Sequence, residues 1–199
     1  MRDYIVQKFL HFEESDFVPG ESLKEAIVIF LAWTAPAFLF VLWANRFYPE
    51  VEFYQAAIRE GIGPNLWNVI GAFGFISFSV AVMFPQFSTP SLVSRHILSN
   101  TYAIGCLTFG LLLGQWFGFL STDGLVWWQR GLFGVTSGFL LAIVLMLNLF
   151  VWYLGFLLTG DSGKKSSFLR KMEQLHGLIR IPLSICFAAA MIMIFLSEK

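Results

Sequence analysis

The stretch LRKMEQLHGLIRIPLSICFAAAMIMIFL, Leu169–Leu196, decides the fold class of this chain. Cations and one histidine run directly into an apolar block, and Arg180 and Pro182 lie a few residues inside that block. Two interpretations follow: a reactive site that uses His176 and Arg180, or the point at which the chain enters a lipid bilayer. A helix rises about 1.5 Å per residue and a bilayer core is about 30 Å thick, so about 20 apolar residues span it. Gly177–Leu196 has this length, which indicates a membrane span.

The composition of the whole chain favours the membrane interpretation. The chain has 199 residues, of which 57% are hydrophobic and only 13% are charged. A soluble domain has about 25% charged residues, because its surface must be wetted. The apolar excess is therefore predicted to face lipid. The formal net charge is zero, so electrostatic binding to nucleic acid is not predicted.

Five apolar segments predict an all-α, polytopic integral membrane bundle with five transmembrane helices. The fourth segment is longer than the others and is expected to tilt or to extend into the interface. The prediction divides the chain into a cytoplasmic amphipathic segment, residues 1–25, and a single transmembrane domain, residues 26–199. The segments are Ala26–Ala44, Leu66–Phe84, Thr101–Leu120, Gly131–Leu158 and Gly177–Leu196.

The distribution of Lys and Arg predicts that the N-terminus is inside and the C-terminus outside. In this orientation eight cations lie on the cytoplasmic side and four on the outer side, as the positive-inside rule requires. The predicted membrane is a bacterial inner membrane or an equivalent organelle membrane. The inside cations are Arg2, Lys8, Lys24, Arg95, Lys164, Lys165, Arg170 and Lys171, and the outside ones are Arg46, Arg59, Arg130 and Lys199.

Two short helices are predicted outside the spans. Apolar residues at helical spacing between Ile5 and Phe17 predict an amphipathic helix that lies on the cytoplasmic face of the membrane, or that docks on a loop or a partner. Glu52–Glu60 predicts a second short helix, which glycines and Pro64 terminate. Tyr48 and Phe53 are expected at headgroup level, where membrane proteins concentrate aromatic residues.

Two stripes of small residues predict close helix packing. Residues four apart share one face of a helix, and small side chains on that face let another backbone approach. Packing within one chain and docking of a partner subunit are both consistent with such faces. The stripes are Gly110, Gly114 and Gly118 in the third segment, and Gly134, Gly138 and Ala142 in the fourth.

Four basic residues lie at the cytoplasmic ends of the third and fifth segments: Arg95, His96, His176 and Arg180. If these two cytoplasmic ends are neighbours, the four side chains form a cationic cluster that suits a phosphate headgroup or an acidic loop of a partner. The alternative is that each cation reaches the phosphates of bulk lipid without forming a site.

Several functional classes lack the residues that they need. No Asp or Glu lies inside a predicted span, which weighs against an ion-coupled transporter. No histidine lies mid-span, and Cys106 and Cys186 show no metal-site or disulfide spacing, so neither a covalent haem nor a metal site is predicted. No catalytic residue is assigned. The buried polar residues Asn68, Gln115 and Asn148 are expected to bond between helices or to contact a ligand.

The sequence therefore favours a non-catalytic integral membrane subunit, which packs against partner subunits or a second copy and against hydrophobic ligands such as a lipid, a pigment or a quinone-like molecule. Two alternatives remain open. One is a passive channel or carrier for a small neutral or hydrophobic solute, lined by Asn68, Gln115, Ser137 and Asn148. The other is a lipid-modifying enzyme that works at the cytoplasmic face through His96 or His176.

Overall fold

The structure, a computed structural model, describes residues 19–60, 64–121, 126–160 and 165–196, and the side chains of 23–58, 68–121, 126–160 and 165–193. Every regular element in these ranges is an α-helix. The amphipathic helix predicted between Ile5 and Phe17 lies outside the described residues. The helices are α1 (Pro19–Phe47), α2 (Glu52–Glu60), α3 (Pro64–Met83), α4 (Ser88–Leu120), α5 (Trp127–Leu157), α6 (Ser167–Gln174) and α7 (Gly177–Leu196).

Three helices are long and apolar enough to cross a membrane: Leu23–Phe47, Ser88–Leu120 and Trp127–Leu157. Two shorter apolar helices, Asn68–Met83 and Gly177–Met193, accompany them within the described residues. Large apolar side chains are exposed along the long helices, which would be costly in water and is expected in lipid. The described part of the chain is therefore all-helical and has the character of a multi-pass membrane protein.

The helix boundaries agree with the sequence for α2 and for α7, Gly177–Leu196, whereas the other long helices begin earlier than their predicted apolar segments. The prediction for α2, Glu52–Glu60, is confirmed to the residue. The helix over the third apolar segment begins at Ser88, well before Thr101. Hydropathy detects where a segment suits lipid, but a helix continues through polar residues as long as its backbone bonds are made. Pro90 is tolerated because it lies in the first turn of α4, where no backbone donor is needed.

The chain forms two compact units, and the first comprises Met1–Ile27, Asn68–Thr101 and Val151–Lys199. Phenylalanine rings join its helices: Phe78 of α3 lies 5.6 Å from Phe187 of α7 and 6.0 Å from Phe168 of α6, between ring centroids. The side chain of Ser166 accepts a 3.0 Å hydrogen bond from the Leu169 N–H, which starts α6. Leu169 is buried, so the apolar face of this short helix is anchored.

The second unit comprises Val28–Trp67 and Tyr102–Phe150. Its core joins α1, α2 and α4, and the aromatic rings of Phe40 and Tyr54 pack edge to face beside it at 6.1 Å. The short helix α2 is thus held by apolar contacts on its inner face, although it is too short to be stable alone. The buried core residues are Ala37, Val41, Ala44, Ile58 and Leu111.

Candidate functional site

The small-residue stripe of α4 lies against α1, within the second unit. A Cβ atom added at Gly114 would lie 2.6 Å from Val41 Cβ, and one added at Gly110 would collide with the main-chain oxygen of Thr34. At Gly118 it would meet the side-chain nitrogen of Asn45 at 3.2 Å. At Gly110 and Gly114 a larger residue would require α1 to shift, so α1 of the same chain occupies this face.

The small-residue stripe of α5 is more open. A Cβ atom added at Gly134 or Gly138 would make ordinary van der Waals contact, at 3.5 Å from Leu120 and 3.7 Å from Trp116. Ala142 is exposed. The two stripes therefore have different neighbours: that of α4 faces α1, whereas two members of that of α5 contact side chains of α4.

Asn148 is the centre of a buried polar cluster. Its side chain is 1% exposed, and its amide lies against the α4 backbone. With donors placed against acceptors, its nitrogen donates to the Tyr102 oxygen at 3.3 Å and its oxygen accepts from the Cys106 N–H at 3.1 Å. From α1, the Thr34 hydroxyl donates to the Cys106 oxygen at 3.0 Å. These bonds link α1, α4 and α5 and leave Asn148 enclosed by protein.

Gln115 bonds to a different element. Its Nε2 donates to the main-chain oxygen of Ile58 at 2.5 Å, which ties α4 to α2. Ile58 lies near the end of α2, where a helix leaves carbonyl oxygens without an intrahelical partner. Among the described residues, the Gln115 side chain makes this one hydrogen bond. Its carbonyl oxygen and second N–H remain for another group.

A groove of about 330 Å³ lies between α4 and α5, and we call it the α4–α5 groove. It is mainly apolar, with three polar side chains: Gln115, Ser137 and Trp116. The Trp116 Nε1 atom is buried and has no hydrogen-bond partner among the described residues. An indole nitrogen can only donate, so Trp116, a lining residue of the groove, holds a buried donor that is unpaired among the described residues. The lining residues are Leu112, Gln115, Trp116, Phe119, Phe133, Ser137, Leu140, Leu141 and Val144.

A second cavity of about 470 Å³, which we call the amide pocket, lies between α1, α2 and α4. Three carboxamide side chains line it, those of Asn45, Gln55 and Gln115. The Gln55 Nε2 donates to the Asn45 Oδ1 at 3.3 Å. Gln115 and Phe119 line both cavities, so the two adjoin. The remaining lining residues of the amide pocket are Pro49, Ile58 and Gly118.

The predicted cationic cluster belongs to the first unit. The His176 Nδ1 accepts from the Leu178 N–H at 3.4 Å, and Arg180 donates to the main-chain oxygen of Met172 at 3.2 Å. The first bond joins His176 to the first turn of α7, and the second joins Arg180 of α7 to α6. Arg95 is half-buried and His96 is exposed, and both lie on α4. That these four side chains form a headgroup site stays a prediction.

The remaining predicted polar residues divide between the units. Asn68 lies half-buried in α3, in the first unit, whereas Gln115 and Asn148 lie in the second. In the described ranges, no group of three or more His, Cys, Asp and Glu side chains could hold a metal ion. Cys106 is buried and Cys186 exposed, and both thiols are free.

The sequence singled out Gln115 but missed Trp116, Asn45 and Gln55. The available signal was the GQWFG stretch, where an amide and an indole interrupt a glycine stripe inside an apolar segment. The contribution of α2 gave no such signal, because Ile58 and Gln115 are 57 residues apart in the chain.

With this geometry established, we compared the chain with known proteins. No protein-family model matches it, and neither a curated protein nor a solved structure does.

Proposed function

We propose that this protein is a non-catalytic integral membrane protein that binds a lipid-soluble ligand in the α4–α5 groove. The observation that carries the proposal is that Trp116, which lines an apolar groove, has a buried indole N–H with no partner among the described residues. A buried donor without an acceptor costs about 1–3 kcal/mol by mutational measures. A ligand that brings a carbonyl, ether or hydroxyl oxygen would remove this cost.

The size and lining of the groove support the same proposal. Ligand sites are mainly apolar clefts of roughly 300–1,000 Å³ with a few placed polar groups. Along α5 the lining runs from Phe133 to Val144, about 16 Å at 1.5 Å per residue. This length suits a hydrocarbon chain rather than a compact solute.

We further propose that five helices span the membrane, with the N-terminus inside. Helices α3 and α7 each have 20 residues, enough for about 30 Å. An odd number of spans puts the chain ends on opposite sides, and the cation distribution favours a cytoplasmic N-terminus. A bacterial inner membrane or an equivalent organelle membrane fits this arrangement.

The other functions have less support. Asn148 and Gln115 bond to protein main chain, so neither the buried cluster nor this amide offers a continuous polar path for a solute. The enzyme alternative, which would use His96 or His176, is less supported because both side chains are exposed and neither lines one of the two cavities. The α4 stripe supports no docking of a partner subunit, because α1 covers it.

Photolabelling tests the ligand proposal. The purified protein in detergent is incubated with a lipid whose acyl chain carries a photoactivatable group, and the labelled residues are mapped by mass spectrometry. We expect labels on the α4 and α5 residues of the groove, and a strong loss of these labels in Ser137→Phe, which fills the groove. The matched control is Thr136→Phe, because Thr136 is the exposed neighbour of Ser137. Equal labelling in both variants, spread over the exposed face of α5, would contradict the proposal.

A further inference from the structure

We infer that the ligand is an uncharged amphiphile with one hydrophobic chain, which lies in the α4–α5 groove while its neutral, hydrogen-bonding head occupies the amide pocket. The part of this inference that concerns the hydrophobic tail of the ligand rests on the proposed function. The part that concerns its head rests on the amide pocket, a cavity that the proposed function does not use.

The α4–α5 groove and the amide pocket adjoin each other. Gln115 and Phe119 line both, so they form the boundary between an amide-lined space and an apolar one. The ring of Phe119 packs against Phe133 of α5 with centroids 3.8 Å apart, so Phe119 also connects the amide pocket to the α5 side of the groove. The two cavities therefore match a molecule whose polar end lies in the amide pocket and whose apolar end lies in the α4–α5 groove.

The second step is the chemistry of the head. Every polar side chain that lines the amide pocket is a carboxamide, with both N–H donors and an oxygen acceptor. None of the lining residues carries a charge, whereas binding of a phosphate or carboxylate normally uses Arg or Lys. Hydroxyl and carbonyl groups suit carboxamides, because each can exchange hydrogen bonds with them without burying a charge.

The third step is the availability of these amides. Gln115 uses one N–H on Ile58 and keeps its other N–H and its oxygen. Gln55 and Asn45 bond to each other at 3.3 Å, at the long limit of N–H···O geometry. Such a bond is readily replaced by one to a ligand. The pocket therefore offers several donors and acceptors at little cost to the fold.

The fourth step is the position of the pocket along the helices. Asn45 lies near the end of α1, and Gly118 and Phe119 lie near the end of α4. Exposed aromatic side chains of the same unit, Tyr48 and Trp127, mark the region where membrane proteins meet headgroups. A head in the amide pocket would thus be at interfacial depth, with its chain directed along α4 and α5 into the bilayer.

Competition between three single-chain lipids tests the inference. The probe is the photoactivatable lipid described above, and the competitors share one oleoyl chain: monooleoylglycerol, oleoyl lysophosphatidylcholine and oleoyl lysophosphatidylglycerol. We expect the neutral glyceride to compete about tenfold better than the anionic lipid, because the pocket offers the phosphate no cation and the loss of one or two hydrogen bonds costs about 1 kcal/mol each.

A variant ties this selectivity to the pocket. Gln55→Leu should reduce the preference for monooleoylglycerol to about threefold or less, because it removes one carboxamide. Competition in this variant is read against its own labelling of the groove without competitor. The matched control is Gln174→Leu, an exposed glutamine at the end of α6, which should keep the full preference.

The outcomes separate the two proposals. Groove labelling that all three lipids suppress equally, or that the anionic lipid suppresses best, overturns the neutral-head inference and leaves the proposed function standing. Labelling that Ser137→Phe does not reduce overturns the proposed function. A preference that persists in Gln55→Leu overturns the assignment of the head to the amide pocket.

Discussion

The Nε2 atom of Gln115 donates a 2.5 Å hydrogen bond to the main-chain oxygen of Ile58, and so a side chain of a long membrane helix caps the end of a nine-residue helix. The bond satisfies a carbonyl that α2 itself cannot pair. It also fixes the amide that separates the apolar groove from the amide pocket. This contact thereby adds to the apolar packing that holds α2, and its amide lines both cavities.

Replacing Gln115 by Leu should loosen α2 without unfolding the protein. Loss of one hydrogen bond between a neutral donor and a carbonyl costs about 1 kcal/mol, and leucine retains much of the packing. We expect faster protease cleavage in the connection that contains α2 and a fall of a few degrees in the melting temperature of the detergent-solubilised protein. Gln174→Leu on exposed α6 is the control. Cleavage rates that match those of the wild type would show that the bond does not hold α2.

Gly114, like Gly110, should be strongly size-sensitive, because both lie in the close contact between α1 and α4. A Cβ atom there would lie 2.6 Å from Val41 Cβ, so Gly114→Val must push the two helices apart. Overpacking of this kind costs about 1–3 kcal/mol, and we expect low yield and early aggregation on heating. Gly131→Val is the matched control, since nothing lies within 4 Å of its added Cβ. Equal heat stability of the two variants, read by size-exclusion chromatography after heating, would rule out the close contact.

The sequence predicted the helical membrane class and the bounds of α2, because both depend on local chemistry. Hydropathy measures suitability for lipid residue by residue, and Glu52–Glu60 lies between Val51 and a glycine-rich breaker. The early start of α4 was not predicted, because polar residues such as Ser94 lower the hydropathy of a segment although they are compatible with a helix.

The cavities could not be derived in the same way. Their walls combine residues from α1, α2, α4 and α5, and their existence depends on how those helices pack. Gln115 was recognised as a buried polar group, but its partner Ile58 is apolar in sequence and contributes only its backbone oxygen. A side-chain pattern cannot indicate a contact to a main-chain atom. The unpaired nitrogen of Trp116 is likewise visible only when its surroundings are known.

Asn148 should tolerate an apolar replacement far better than a charged one. The main-chain groups that it contacts, Tyr102 O and Cys106 N, are already paired in α4, so Asn148→Leu leaves no orphan and should cost about 1 kcal/mol. Asn148→Asp would place a carboxylate at a 1% exposed site inside an apolar helix, which should cost at least about 2.5 kcal/mol. The melting temperature should therefore fall much further in the Asn148→Asp variant than in the Asn148→Leu variant.

The control for this charge effect is Asn100→Asp. Asn100 is exposed, and its side chain donates to the His96 oxygen of its own helix at 2.9 Å. We expect this variant to melt within a few degrees of the wild type. If Asn148→Asp were equally mild, Asn148 would have to be accessible to water, and the channel interpretation would gain support.

Reporter fusions should reveal five membrane crossings. Alkaline phosphatase is active only outside the cytoplasm, whereas green fluorescent protein fluoresces when it is fused on the cytoplasmic side. We expect phosphatase activity for fusions after Pro49, after Ser121 and at the C-terminus, and fluorescence for fusions after Pro85 and after Thr159. The physical reason is that each intervening helix, including the 20-residue α3 and α7, is long enough to cross. If only the three long helices crossed, the fusions after Pro49 and Pro85 would report the same side, and α3 would have to lie within one leaflet.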